Sequence, residues 1–150
     1  MAENPLERVL NEWKVDCQID RARIDESSRL TPELHHKYLD LLSTAKLQLR
    51  HHEFSQKQLM KKKWLYYTGK MDRSEIERLG WPPDPYDGLK VLKGDMEYWV
   101  ETDKELVESE AKIHLYKTIV DTLKEILDNI KWRHSTIKNI IEAKKFDAGY

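Results

Sequence analysis

Apolar residues recur with a helical period over most of the chain, and this pattern predicts an all-α fold. The first helix begins after Asn4 and Pro5, a capping side chain followed by a favoured first helical residue. Its narrow apolar face is formed by Leu6, Val9, Leu10 and Trp13. This face either packs on the rest of the chain or docks on a partner, and packing is the favoured interpretation. The charged residues 17–30 alternate only weakly and predict a loop or a segment of poorly defined structure.

A second, much longer helix is predicted to begin at Thr31-Pro32-Glu33 and to continue to Tyr67, since neither Gly nor another Pro interrupts it. At about 1.5 Å per residue it would be a rod of about 50 Å, which needs partner helices to cover it. Residues 68–88 hold most of the glycines and prolines and predict an exposed loop with one helical turn. Residues 89–100 fit either a helix or a hairpin, and we favour the helix.

The last predicted helix is capped by Thr102 or Asp103 and carries the most regular apolar pattern of the chain. Alternating steps of three and four residues join Ile113, Tyr116, Val120, Leu123, Leu127, Ile130, His134, Ile137 and Ile141. This is a four-heptad seam interrupted only at His134. The seam is either one face of a monomeric bundle or a surface for self-association. Because only 39% of the chain is hydrophobic, its core is thin and self-association is favoured, which makes the apolar seam residues candidates for oligomerisation.

These elements predict long amphipathic helices joined by a Pro/Gly-rich loop, with a C-terminal oligomerisation helix. Residues 1–30 would form a short helix and a linker, residues 31–88 the long basic helix and the loop, and residues 89–150 the helical oligomerisation region.

Charge is segregated along the chain, although its net value is only −1. Eight Lys or Arg against two acids give +6 between Lys46 and Arg73. Seven acids against one Lys give −6 between Asp95 and Glu110, and this segment is either solvated surface or a docking site for a basic partner. Any nucleic-acid site must therefore come from local charge rather than from the chain as a whole.

The stretch KQLMKKKWLYYTGKMDR, residues 57–73, places lysines directly beside aromatic residues. Lysines neutralise phosphates and aromatic rings stack on bases, which is the combination that single-stranded nucleic acid requires. Gly69 is expected to end the helix in a left-handed conformation. The candidate DNA-binding residues are Lys57, Lys61, Lys62, Lys63, Trp64, Tyr66, Tyr67 and Lys70. The alternative is a solvated lysine run beside ordinary core aromatics.

No motif of an enzyme, metal site or cofactor site is found in the sequence. Thr68-Gly69-Lys70 lacks the rest of a phosphate-binding loop, and the histidines have no metal-ligand spacing. A single cysteine, Cys17, rules out a disulfide framework within the chain and suits a reducing compartment. Neither a secretory signal nor a membrane span is expected. A binding or assembly module is therefore favoured over an enzyme, with a coiled-coil scaffold or adaptor, or a helical virion or chaperone component, as alternatives that have no nucleic-acid role.

Two short motifs resemble those of the UvsY family, the recombination mediators of T4-like bacteriophages. The first is the basic helix that runs into Tyr66-Tyr67-Thr68-Gly69, and the second is Phe146-Asp147-Ala148-Gly149 after an Ile/Lys-rich helix. The length of the chain and the order and separation of the two motifs also fit the family. The resemblance covers roughly residues 30–150, and the first 15 residues look like an extension.

The resemblance implies a protein that binds single-stranded DNA (ssDNA) and assembles as a ring-like homo-oligomer, a hexamer or heptamer held by its C-terminal helices. Its expected partners are ssDNA, a RecA-like recombinase of the UvsX type and the phage single-strand-binding protein, in the cytoplasm of the infected host. The family's basic DNA-binding positions correspond to Lys61 and Lys63, and Lys62 adds a third cation between them. Stacking by Trp64 is inferred from the residue and not from the family.

Overall fold

The computed structural model describes residues 2–150, and these residues form seven α-helices and one 3₁₀ turn, with no strand among them. The helices are α1 (Pro5–Asp16), α2 (Ile24–Arg29), α3 (Thr31–Tyr67), α4 (Arg73–Leu79), α5 (Met96–Glu101), α6 (Lys104–Lys131) and α7 (Arg133–Asp147), and the 3₁₀ turn is Lys93–Asp95. The predicted all-α class is therefore confirmed, and α3 runs from Thr31 to Tyr67 as its uninterrupted pattern predicted.

Two predicted boundaries are wrong. The segment 17–30 is not a loop throughout, because α2 forms within it and buries Ser27, whose hydroxyl accepts a hydrogen bond from the Asp20 amide at 3.1 Å. The C-terminal heptad pattern does not form one helix, because the backbone leaves the helix at Trp132 (φ −91°, ψ 0°) and α7 starts at Arg133. By contrast, the segment 89–100 contains no hairpin: residues 89–92 are irregular, and the 3₁₀ turn and α5 follow from Lys93, so the favoured helix forms only in its second part.

The chain folds as two compact units, and the boundaries between them fall within the long helices α3 and α6. The first unit comprises Met1–Gln48 and Leu115–Tyr150, and the second comprises Leu49–His114. The predicted division into residues 1–30, 31–88 and 89–150 is based on the order of helices and loops in the sequence. It stays a prediction.

In the first unit, α1 packs on the start of α3. Asn4 and Glu7 form a reciprocal capping box that begins α1. Tyr38 of α3 is completely buried; its ring meets Trp13 of α1 edge-on at 5.4 Å, and its hydroxyl donates a hydrogen bond to Asp16 at 2.8 Å. The apolar face of α1 is thus used within the chain, as favoured from the sequence.

The C-terminal seam supplies much of the core of the first unit. Its residues Val120, Leu123, Ile130 and Ile137 are buried there within a single chain, and so are the neighbouring Ile119 and Ile126. Arg133 is buried beside them; its guanidinium lies 3.5 Å from the carbonyl of Gln18, and its Nε has no hydrogen-bond partner. Burial lowers the pKa of this guanidinium. The seam is therefore already covered over most of its length before any second chain is considered.

Candidate nucleic-acid interface

The C-terminal end of α3 positions the predicted DNA-binding residues. Gly69 takes the left-handed conformation (φ +72°) and ends the helix, as expected. The amide of Lys70 donates to the carbonyl of Leu65 at 2.9 Å, and that of Gly69 donates to Tyr66 at 3.2 Å. This pair of bonds is the Schellman arrangement, which satisfies carbonyls that the helix end would otherwise leave free. The chain therefore reverses sharply, so that Lys70 lies beside the last turn of α3.

Lys63 does not face solvent, although it belongs to a run of three lysines. Its side chain is only 5% exposed, and its ammonium lies 3.0 Å from the carboxylate of Asp103 and 3.6 Å from that of Glu105. The ammonium also lies over the ring of Trp81, 3.9 Å from its centre, in a cation–π contact. We call this group the buried lysine cluster; it comprises Lys63, Tyr66, Tyr67, Trp81, Asp103 and Glu105.

Tyr66 and Tyr67 are buried in the same cluster. The Tyr67 hydroxyl donates to Asp103 at 2.6 Å, and the Tyr66 hydroxyl donates to the carbonyl of Pro82 at 2.5 Å. The Tyr66 ring packs on Trp81, with centroids 5.0 Å apart. Tyr66 thus connects the end of α3 to the segment after α4, and Tyr67 connects it to the residue that precedes α6. A DNA contact by Lys63, Tyr66 or Tyr67 stays a prediction, and these contacts do not favour it.

Asp103 links the cluster to helix α6 because its two carboxylate oxygens bind different groups. Oδ1 accepts the amide of Leu106 at 3.2 Å and caps the helix, while Oδ2 accepts from Lys63 and Tyr67. Burial by itself would raise the pKa of Asp103, but the hydrogen bonds from Tyr67, Lys63 and the Leu106 amide, with the charge of Lys63, hold its pKa below the ordinary value. Burial, and then the bond to this carboxylate, raise the pKa of Tyr67. Asp103 therefore stays ionised and Tyr67 protonated over the physiological range.

Four other predicted lysines are exposed: Lys57, Lys61, Lys62 and Lys70. Within residues 2–150 none of these four forms an ion pair within 4.0 Å. Three of them line an open groove of about 660 Å³, the lysine groove, between the end of α3 and the start of α4. Its lining is Gln58, Lys61, Lys62, Leu65, Lys70, Met71, Asp72 and Glu75. These cations are available for phosphates, although Asp72 and Glu75 offset part of their charge.

An outward-facing row of residues lies on the side of α3 opposite Lys63. Steps of four and three residues place its members on one helix face. This row, the outer stripe, consists of Arg50, Phe54, Lys57, Lys61 and Trp64. Phe54 is 51% exposed and Trp64 is 48% exposed. The Arg50 guanidinium lies 4.6 Å from the Phe54 ring centre, and the Lys70 ammonium lies 4.4 Å from that of Trp64. Each ring is thus about half exposed and has a cation over it.

Sequence reasoning missed Arg50 and Phe54, which lie before the basic run. The available signal was their spacing from Lys57, Lys61 and Trp64, which places all five on one face. The structural role of Lys63 was also missed, although its spacing from Tyr66 and Tyr67 puts all three on another face of α3.

The predicted oligomerisation residues divide by exposure. Ile113, Val120, Leu123, Ile130 and Ile137 are buried within the chain, and Tyr116 and Leu127 are half-buried. Ile141 is 36% exposed and is followed by Phe146, which is 81% exposed. The role of these residues in self-association stays a prediction.

No cluster of three or more potential metal ligands occurs in the part of the chain that the structure describes. Among the same residues, no helix is both long and apolar enough to cross a membrane.

Comparison with known proteins gives one consistent result. A family model described as "Recombination, repair and ssDNA binding protein UvsY" matches residues 12–150, a wider range than the two sequence motifs covered. The recombination protein UvsY of Enterobacteria phage T4 is 26% identical over 144 residues, which span 96% of this chain and 98% of that protein.

Solved structures show the same fold. A crystal structure of the bacteriophage T4 recombination mediator protein UvsY (lattice type II) superposes with a TM-score of 0.76 at 24% identity, covering 98% of this chain and 100% of the other. A second crystal form (lattice type IV) gives a TM-score of 0.75 at 23% identity, covering 96% of this chain and 99% of the other.

Proposed function

Because the chain belongs to the UvsY family of recombination, repair and ssDNA-binding proteins, we propose that it is a mediator that loads a RecA-like recombinase of the UvsX type onto ssDNA coated with single-strand-binding protein. The observation that carries the proposal is the set of exposed lysines around the half-exposed Trp64 at the end of α3. This loading takes place in the cytoplasm of the infected host, where the recombinase and the phage single-strand-binding protein are the other partners.

Phosphates are held by Lys57, Lys61, Lys62 and Lys70, while Trp64 stacks on a base. Lys63, Tyr66 and Tyr67 act indirectly in this proposal, because their buried contacts fix the helix end and the turn that carry the exposed cations. Lysine–phosphate contacts release counterions, so the affinity falls as salt rises. Stacking needs an unpaired base, which favours single strands over duplex.

Self-association would repeat this weak site once per subunit. Linked weak sites gain affinity through effective concentration when one strand can reach several of them. In the proposed ring, ssDNA held across several subunits is displaced from the single-strand-binding protein and presented to the recombinase. The exposed end of α7, with Ile141 and Phe146, supports an assembly surface there better than the buried Ile130 and Ile137. A monomer mass in light scattering at micromolar concentration would contradict this part.

The test is the lag before a RecA-like recombinase becomes active as an ATPase on ssDNA that is already coated with single-strand-binding protein. The wild-type chain should shorten the lag, and Lys61→Ala/Lys62→Ala should shorten it less. Lys117→Ala/Lys124→Ala is the matched control, since it removes two exposed lysines of α6 in the other unit. The mediator proposal fails if wild-type protein binds ssDNA but leaves the lag unchanged. A chain that binds no ssDNA would favour the helical scaffold instead.

A further inference from the structure

Phe54 lies outside the basic segment 57–73, yet its surroundings match those of Trp64. About half of each side chain is exposed, although both belong to residue types that normally bury most of their surface. The Arg50 guanidinium lies 4.6 Å from the Phe54 ring centre, one turn earlier, and the Lys57 ammonium lies 5.9 Å from it, one turn later. Arg50 also forms an ion pair with Glu53 at 3.5 Å, which offsets part of its charge. An exposed ring with cations before and after it is a suitable stacking surface for a base.

The geometry of α3 joins the two rings into one track. Phe54 and Trp64 are ten residues apart on the same face, which is about 15 Å along the helix axis. Lys57 and Lys61 lie between them on that face, and both are exposed. A single strand that runs along the helix could therefore place bases on the two rings and phosphates on the two lysines between them.

Resting on the function proposed above, we propose that Phe54, with Arg50 and Lys57, forms a second base-stacking subsite for ssDNA, upstream of the subsite at Trp64. The occupant is a nucleobase of a single strand, because the cations of the stripe complement a polyanion and the ring accepts any base face. A duplex covers its base faces by stacking and cannot use this subsite. Phe54 thereby contributes to the selectivity for single strands, while the lysines contribute the phosphate contacts.

The experiment separates stacking from phosphate binding by pairing two ligands of equal length and charge. One is a labelled oligothymidylate, and the other is the same backbone without bases. Wild-type protein, Phe54→Leu and Phe54→Tyr are titrated with each ligand, and circular dichroism checks that helix content is unchanged. The control is Met60→Ala, because Met60 is 52% exposed, close to the 51% of Phe54, but carries no ring.

Phe54→Leu should weaken oligothymidylate binding about fivefold or more while leaving binding of the abasic backbone unchanged. Phe54→Tyr, which keeps the ring, should bind both ligands as the wild type does, and so should Met60→Ala. Equal weakening on both ligands, or no weakening on either, would overturn the stacking subsite. If the wild-type protein bound neither ligand, the proposed function itself would fail, and that result is distinguishable from failure of the subsite alone.

Discussion

Replacing Lys63 by Met should destabilise the chain far more than the same change at Lys61. The Lys63 and Asp103 side chains are only 5% and 7% exposed, and their charged atoms lie 3.0 Å apart. Removing one partner of a buried ion pair leaves an uncompensated charge and costs about 3–5 kcal/mol. The Tyr67 hydroxyl and the Leu106 amide still reach Asp103, so we expect the lower end, about 3 kcal/mol.

For a chain of this size, about 3 kcal/mol corresponds to a drop in Tm of roughly 6–12 °C. The assay is thermal unfolding followed by circular dichroism at one fixed protein concentration, since the proposed self-association would make Tm depend on concentration. Lys61→Met is the matched control and should change stability by no more than about 0.5 kcal/mol.

The double variant Lys63→Met/Asp103→Asn tests the physical cause. Asn keeps an oxygen that can cap α6 but removes the buried charge, so the double variant should recover part of the stability that Lys63→Met removes. The reasoning is refuted if the Tm of Lys63→Met lies within about 2 °C of the wild-type value, or if Lys61→Met lowers the Tm as much as Lys63→Met does.

Two further predictions concern stability. The folded state holds the pKa of Asp103 below its ordinary value of about 3.9, so the stability that ionised Asp103 contributes is complete above that pH and is lost as pH falls through the lower folded pKa. The free energy of unfolding, measured with urea across this acid range, should therefore depend less on pH in Asp103→Asn than in the wild type. An equal pH dependence in the two proteins would contradict this prediction. Gly69→Ala should cost about 1–2 kcal/mol through its positive φ alone, because open space surrounds the added methyl group. Gly94→Ala, which also meets open space but has no positive φ, should be close to neutral, and similar losses for both would refute this explanation.

The elements that follow from local chemistry could be predicted from the sequence. Asn4 and Glu7 mark the start of α1, and Gly69 marks the end of α3, because capping depends on residues within one or two turns. The extent of α3 follows from the absence of internal breakers, and the apolar steps from Ile113 to Ile137 identify most of the core of α6 and α7.

What depends on residues distant in sequence could not be predicted in the same way. No Pro or Gly marks the break at Trp132, so the heptad pattern passes through it unchanged. Lys63 is indistinguishable from Lys61 and Lys62 by composition, and its burial depends on Asp103, forty residues later. A buried lysine differs from an exposed one in its ion-pair partner, and when that partner lies on another helix the neighbouring residues in the sequence do not reveal it.

The most direct test of the central claim is the fluorescence anisotropy of a labelled oligothymidylate titrated at low and moderate salt, with duplex DNA of equal length as competitor. The account predicts salt-sensitive binding that duplex fails to compete, and a salt slope that falls by up to about 1.4 in Lys61→Ala/Lys62→Ala, or about 0.7 for each phosphate that is no longer neutralised. Lys117→Ala/Lys124→Ala should keep the wild-type slope. An unchanged slope in Lys61→Ala/Lys62→Ala, or no binding by the wild type at low salt, would contradict the assignment of DNA binding to the exposed lysines of α3.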